Sequence, residues 1–154
     1  MPRTEDYSIR EATEDDLFEL TLLAREAFKE DIINKKVFTF DAKKLGTLVG
    51  SAIDNETFLT LVLEKENEIV GYFFGMVSPC YFARESQTVC LSWFIQPEHR
   101  SVKNALTLLK KYEEWSKSVG AVLINMVNVK MDSPRIFEKL GYTMTEITFV
   151  KEVV

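Results

Sequence analysis

Apolar and polar positions alternate over Tyr7 to Glu11, a short strand. Thr13 then stands before Glu14, Asp15 and Asp16, a helix cap with acids in the first turn, where they complement the helix dipole. Leu17, Leu20, Ala24 and Ala27 follow at helical spacing, which predicts an amphipathic helix over 14–30. Asp31 to Phe40 reads as a mixed loop. Asp41 caps a second, weaker helix to about Ile53, interrupted by Gly46 and Gly50. The period then shortens. Phe58 to Leu63 is a strand, Glu64–Lys65–Glu66–Asn67 a hairpin turn, and Ile69 to Val77 the return strand. Ser78 to Gln87 is a loop carrying Pro79, and Thr88 to Gln96 is a strand stopped by Pro97.

Helical spacing returns strongly from Val102 to Val119. Ala105, Leu108, Leu109, Tyr112, Trp115, Ser116 and Val119 share one face, and Gly120 ends the helix. Ala121 to Val127 reads as a strand. Ser133–Pro134 starts a short helix that Gly141 stops, and Tyr142 to Val150 is the last strand. The order β-α-α-β-β-β-α-β-α-β predicts one α/β domain over 1–154: a mixed, mostly antiparallel sheet of about six strands flanked by four helices. The long helix makes 88–96 and 121–127 parallel neighbours through a right-handed crossover.

Composition narrows the chemistry. The 154 residues are 46% hydrophobic and 28% charged, an ordinary globular balance without low-complexity stretches. No apolar run approaches a membrane span, and Met1 to Asp6 is polar, so a cytoplasmic protein is expected. Two cysteines and one histidine build neither a disulfide framework nor a zinc cluster. A net charge of −5 disfavours phosphate-backbone binding and suits a cationic substrate.

The segment Ile95-Gln96-Pro97-Glu98-His99-Arg100-Ser101-Val102-Lys103-Asn104-Ala105 carries the most chemistry. A strand end, a short polar loop and a helix start expose backbone N–H groups to an anion, with Arg100 and Lys103 in the same turn. The plainer interpretation is a strand-to-helix connection with solvated basic residues.

The whole chain resembles the GNAT acyltransferase superfamily. "YSIREATEDDLFEL" is similar to its first strand and helix, "EIVGYFFGMV" to its central hairpin strand, "FIQPEHR" to the approach to its coenzyme A helix, and "SPRIFEKLGY" to its final helix. The Pro-Glu-x-Arg-Ser and "EEWSKSVGA" details resemble acetyltransferase-like proteins of phage and prophage, which would put the protein in a host cytoplasm. The resemblance implies acetyl-CoA as co-substrate and no metal. It gives the pantetheine to Trp93, Phe94 and Ile95, and the diphosphate to Arg100, Ser101, Val102, Lys103, Asn104, Ala105 and Leu106. An amine acceptor would attack the thioester directly, its carbonyl polarised by a backbone N–H near Phe94 or Ile95.

The sequence departs from the family pattern in places. Lys103 stands at a glycine position of the phosphate loop, and Ser101 at another. Phe137 occupies the position of a tyrosine that protonates the leaving thiolate, and Tyr142 is the nearest hydroxyl. Cys90, Ser92 and Asn125 stand where a carboxylate base is usual. Glu98, Glu85 and Asp132 are the remaining candidates, each more often a solvated charge. His99 and Cys90 read as structural, although an acyl-cysteine role for Cys90 is conceivable. Phe38, Phe40, Tyr81 and Phe82 could cover an acceptor or form a homodimer contact. A second reading is an inactive GNAT-like module that binds a host or partner protein. A third is modification of a nucleobase amine.

Overall fold

The structure, a computed structural model, describes residues 6–127 and 134–153. Five strands form one sheet in the order β1 (Tyr7–Glu11), β2 (Phe58–Lys65), β3 (Glu68–Pro79), β4 (Ser86–Ile95) and β5 (Leu123–Asn125). The first four are antiparallel, and β5 runs parallel to β4. The helices are α1 (Leu17–Glu30), α2 (Ile32–Val37), α3 (Ala42–Ala52), α4 (Val102–Ser118) and α5 (Pro134–Lys139). The mixed α/β class and the single parallel crossover agree with expectation.

Several boundaries differ. The loop expected over 31–40 contains α2, because the Asp31 carboxylate accepts from the Asn34 N–H and caps a turn there. Asp41 caps α3 in the same way, as predicted. The strand expected over 121–127 shortens to three residues. The strand expected over Tyr142–Val150 does not form among the described residues: past Tyr142 this segment is exposed and joins no ladder with them. Among the described residues the sheet thus has five strands rather than about six, and five helices rather than four. The hairpin turn falls where expected. Glu66 and Asn67 both take positive φ, 51° and 65°, which is the two-residue turn that matches strand twist.

Strand alternation divides the interior in two. Leu59, Leu61 and Leu63 of β2 join Phe73, Leu108, Leu109 and Tyr112 under α4. Val62, Tyr72, Phe74 and Phe94 face the other way, against Leu20 and Leu23 of α1 and Val49 and Ala52 of α3. Gly71 permits the close approach of β3 to β4, since a Cβ there would sit 2.9 Å from the Phe94 carbonyl oxygen.

One ion pair fastens the start of α1 to the sheet. Arg10 on β1 grips Asp16 with two N–H···O bonds of 2.7 and 2.9 Å, and its Nε donates to Glu64. Asp16 also accepts from the Thr13 N–H at 2.7 Å, which closes a capping box. Hydrogen bonds from Arg10 hold the Asp16 carboxyl below its ordinary value of 3.8, against the opposing effect of burial.

Because the folded pKa is depressed, this stabilisation is complete above pH 4 and disappears as the pH falls through the folded value. Asp16→Asn should cost about 1–3 kcal/mol at pH 7. Urea titrations from pH 7 to pH 2 should show the variant losing less stability on acidification than the wild type.

Candidate functional site

The end of β4 is built differently from its beginning. Gly75 pairs with Cys90 and Phe74 with Ser92, so Leu91 has no partner and forms a β-bulge. Before the bulge, Thr88 and Cys90 face α4. After it, Trp93 and Ile95 do. The extra residue has switched the parity of the strand.

The β4–β5 ladder stops at the same place, its last pair being Val89 with Asn125. Asn125 terminates it. Its side-chain amide donates to the Thr88 carbonyl at 3.0 Å and to Gln87 Oε1 at 2.9 Å. Its own carbonyl accepts the Tyr112 hydroxyl of α4 at 2.8 Å. Beyond this point the strands are joined through side chains. The Trp93 indole N–H donates to the Val127 carbonyl at 3.3 Å, bridging the splay on the α4 side.

Among the described residues, the edge of β4 beyond Val89 is therefore unpaired. The Gln96 N–H donates to Val70 of β3 at 2.9 Å. By alternation, the backbone groups of Phe94 face β3, whereas the N–H and C=O of Trp93 and the N–H of Ile95 face outward. Of the backbone N–H groups expected near Phe94 or Ile95, that of Phe94 is turned to β3, and those of Trp93 and Ile95 are the outward donors.

A 3-10 turn, Pro97–His99, carries the chain into α4. Ser101 caps the helix, its Oγ accepting from the Asn104 N–H at 3.1 Å. The N–H groups of Ser101, Val102 and Lys103 meet no protein acceptor among the described residues. Asn104 is turned inward and buried, and its amide donates to the His99 carbonyl at 2.9 Å. His99 is tied to β1, its Nδ1 lying 2.9 Å from the Tyr7 hydroxyl. These contacts fix the loop while its three foremost amides stay open. Ala105 and Leu106 are half-buried in the following turn.

The two cations of the loop are placed differently. Arg100 donates through Nε to the Ile95 carbonyl at 2.7 Å and through Nη2 to both Glu30 oxygens at 2.7 and 2.9 Å. It also lies over the Phe94 ring, 5.3 Å from its centroid. Arg100 thereby ties the loop to the C-terminal end of α1. Lys103 is exposed and has no ion-pair partner among the described residues. Glu30 escaped the sequence reading because nothing in its own segment marks it as a partner for a residue 70 positions away.

The remaining candidates are scattered. Glu98 is exposed at the loop end of β4, whereas Glu85 is exposed beyond the opposite end. A strand of ten residues spans about 33 Å, so the two cannot serve one reacting atom. Asp132 lies outside the described residues. Phe137 packs against the α4-side core, edge-on to Tyr142 at 5.8 Å. The Tyr142 hydroxyl donates to Glu113 at 2.9 Å, and burial and that carboxylate hold its pKa above the ordinary value. Tyr72 bonds Ser92 across β3 and β4 at 2.7 Å, a polar pair on the α1 side that the pattern did not single out. Phe40 packs on Phe28, Tyr81 lies tilted against Phe82 at an exposed loop tip, and Phe38 is exposed.

Cys90 is buried, and loss of solvent pushes its thiol up to about 12, against backbone hydrogen bonds from Val127 and Ser92 that act the other way. A protonated thiol is a poor nucleophile, so the geometry gives no support to an acyl-cysteine.

Residues 5–154 match the family model of the acetyltransferase (GNAT) domain. The chain belongs to that family and is an N-acetyltransferase by class. No curated protein matches it in sequence. Among solved structures it resembles a GNAT family acetyltransferase of Staphylococcus aureus, at 19% identity and a TM-score of 0.68, covering 96% of this chain and 98% of that one. An acetyltransferase of Trypanosoma brucei aligns at 18% identity and a TM-score of 0.75, over 96% and 100% of the two chains. An aminoglycoside 6'-N-acetyltransferase of Acinetobacter haemolyticus aligns at 15% identity and a TM-score of 0.68, over 96% and 99%. Among the described residues no helix is long and apolar enough to cross a membrane.

The burial of Cys90 has a direct check. Iodoacetamide at pH 8 should modify half-buried Cys80 and spare Cys90 in the native protein, with both modified in denaturant. Peptide mass spectrometry reads the outcome, and native modification of Cys90 at a matching rate would contradict its burial.

Proposed function

We propose that the protein moves an acetyl group from acetyl-CoA to a primary amine, by direct attack in a ternary complex. The observation that carries this reading is a free stretch of β4 edge running into a helix start with open amides. The pantetheine arm pairs with the outward groups of Trp93 and Ile95 as an added strand would. The diphosphate lies against the N–H groups of Ser101, Val102 and Lys103, where fixed amide dipoles and one mobile ammonium oppose its charge. Arg100 acts as a buttress, its charge committed to Glu30.

The chemistry then follows from what this site holds. The amine nitrogen attacks the thioester carbonyl, whose developing negative charge is met by an outward N–H of β4. The C–S bond breaks and CoA leaves as a thiolate, with Phe137 supplying no proton. Cys90, Ser92 and Asn125 provide no carboxylate on the strands, and in this reading the substrate ammonium gives its proton to water before the amine attacks. An amine acceptor fits a chain of net charge −5, and the aminoglycoside enzyme among the structural relatives acts on an acceptor of that kind. Phe137 also favours a second reading, a GNAT-like module that binds without turnover. Release of free CoA in the presence of an amine panel separates the two.

Calorimetry with acetyl-CoA should show one site per chain. Lys103→Glu should weaken it at least tenfold, a change of about 1.4 kcal/mol. Absence of heat at high micromolar acetyl-CoA would remove the proposal. With solvent as proton acceptor, kcat/KM should climb with pH toward the amine's own pKa near 10.4. A plateau near neutrality would instead reveal a protein base.

A further inference from the structure

Attack on a thioester builds negative charge on its carbonyl oxygen, and the outward N–H of Trp93 stands at the unpaired edge of β4 to meet it. The Trp93 side chain and the Val127 carbonyl close the α4 side of that edge. An acceptor therefore approaches from the α1 face of the sheet. The residue just before Trp93 is Ser92, and its side chain points to that face, bonded to Tyr72. The Leu91 bulge is what turns it there, since plain alternation from Cys90 would aim Ser92 at α4. Bond geometry keeps a serine Oγ within about 5 Å of the following amide nitrogen, so one substrate oxygen can reach both groups.

The pairing with Tyr72 fixes what the Ser92 hydroxyl can do. The two oxygens lie 2.7 Å apart across β3 and β4. Tyr72 is 6% exposed, and Ser92 is its one hydrogen-bond partner among the described residues. A buried phenol proton not given to Ser92 would go unpaired, which costs a hydrogen bond. Tyr72 therefore donates, and a phenol is the stronger donor of the two. Burial holds its pKa above the ordinary value, so it keeps its proton near neutrality. Ser92 is half-buried, and with one lone pair taken its own O–H is left to point into the opening. Hydrogen bonds in such a chain polarise one another, so accepting from Tyr72 makes Ser92 a better donor. The surroundings are apolar: Phe74 pairs with Ser92, and the Phe94 ring lies 6.3 Å from that of Tyr72. A hydrogen bond to a developing charge is worth more in such a setting than in water.

We propose that the Ser92 hydroxyl, polarised by Tyr72, is a second donor to the thioester oxygen, beside the N–H of Trp93. The inference rests on the acetyl-transfer reading above. As the amine nitrogen bonds to the carbonyl carbon, the π pair moves onto oxygen and meets two convergent donors. When the C–S bond breaks, the carbonyl re-forms and CoA leaves as a thiolate. The surplus proton on nitrogen goes to water, and neither Ser92 nor Tyr72 gives up its own. Ser92 touches the reacting oxygen and is a catalytic residue. Tyr72 acts through it and is a positioning residue. A ground-state thioester oxygen is a weak acceptor, so the pair acts on the transition state and leaves donor binding almost untouched.

Release of CoA with the best substrate of a primary-amine panel, set against calorimetry with acetyl-CoA, tests the pair. Ser92→Ala should lower kcat about a hundredfold and leave the acetyl-CoA Kd within about twofold. Tyr72→Phe removes only the polarising donor and should lower kcat about tenfold. The double variant should be no slower than Ser92→Ala alone, because Tyr72 acts through the serine. Ser92→Thr keeps the hydroxyl and should hold kcat within about fivefold of the wild type. Circular dichroism and thermal melts check that each variant folds. A pair that served structure alone would give additive losses that track stability. Additive losses, or a folded Ser92→Ala with wild-type kcat, overturn the proposal. A wild type that binds acetyl-CoA but releases no CoA with any amine removes the transfer reading itself, and this inference with it.

Discussion

The site depends on one constraint: β4 and β5 start as hydrogen-bonded neighbours and cannot continue as such. The Leu91 bulge bends β4 just where Asn125 turns its hydrogen bonds away from the ladder, toward Thr88, Gln87 and Tyr112. Either device alone would leave a ragged strand end. Together they leave a short stretch of β4 edge unpaired among the described residues. Buried Thr88 and Ser116 share a 2.7 Å hydrogen bond, which fixes α4 against the last paired stretch and sets where the opening begins. Free strand edges are ordinarily a liability. This one is short and ends at a helix whose first amides face the same opening.

The two faces of the sheet divide the work. Under α4, large side chains such as Phe73, Leu108 and Tyr112 are sealed from solvent, and Trp93 extends that layer beneath the splay. The other face is covered by α1 and α3 and carries the polar Tyr72–Ser92 pair beside Phe94. Burial raises the Tyr72 hydroxyl above its ordinary pKa, so it remains a neutral hydrogen-bonding group. Side chains alternate along the strand, so consecutive residues from Ser92 to Ile95 serve both layers in turn, and the bulge sets which residue faces which.

Much of the architecture was legible in the chain. Helical spacing found α1 and α4, Asp41 marked α3, and Pro97 and Gly120 stopped their elements within a residue or two. Those signals are local, which is why they transfer. The failures were of two kinds. The turn that makes α2 rests on a cap by Asp31 in a stretch too short for periodicity to register. The last strand had the right composition, but a strand exists only when an edge accepts it, and composition carries no information about edges. At the site, the loop from Gln96 to Ala105 could be read as an anion cradle because its elements are consecutive. The bulge at Leu91 and the pairing of Arg100 with Glu30 join distant segments and left no trace in spacing. An asparagine in β5, poor in strand propensity, was the one available hint that the ladder would end there.

The Arg100–Glu30 clamp has a consequence for how such a protein can diversify. The guanidinium is held between a strand carbonyl and a carboxylate on another helix, so its positive potential at the loop is partly cancelled from a distance. A lineage that loses the carboxylate at position 30 would release that potential toward the loop without altering a single loop residue. Loop charge and loop sequence are therefore separable traits here, and drift on a helix remote in sequence is enough to retune one while conserving the other.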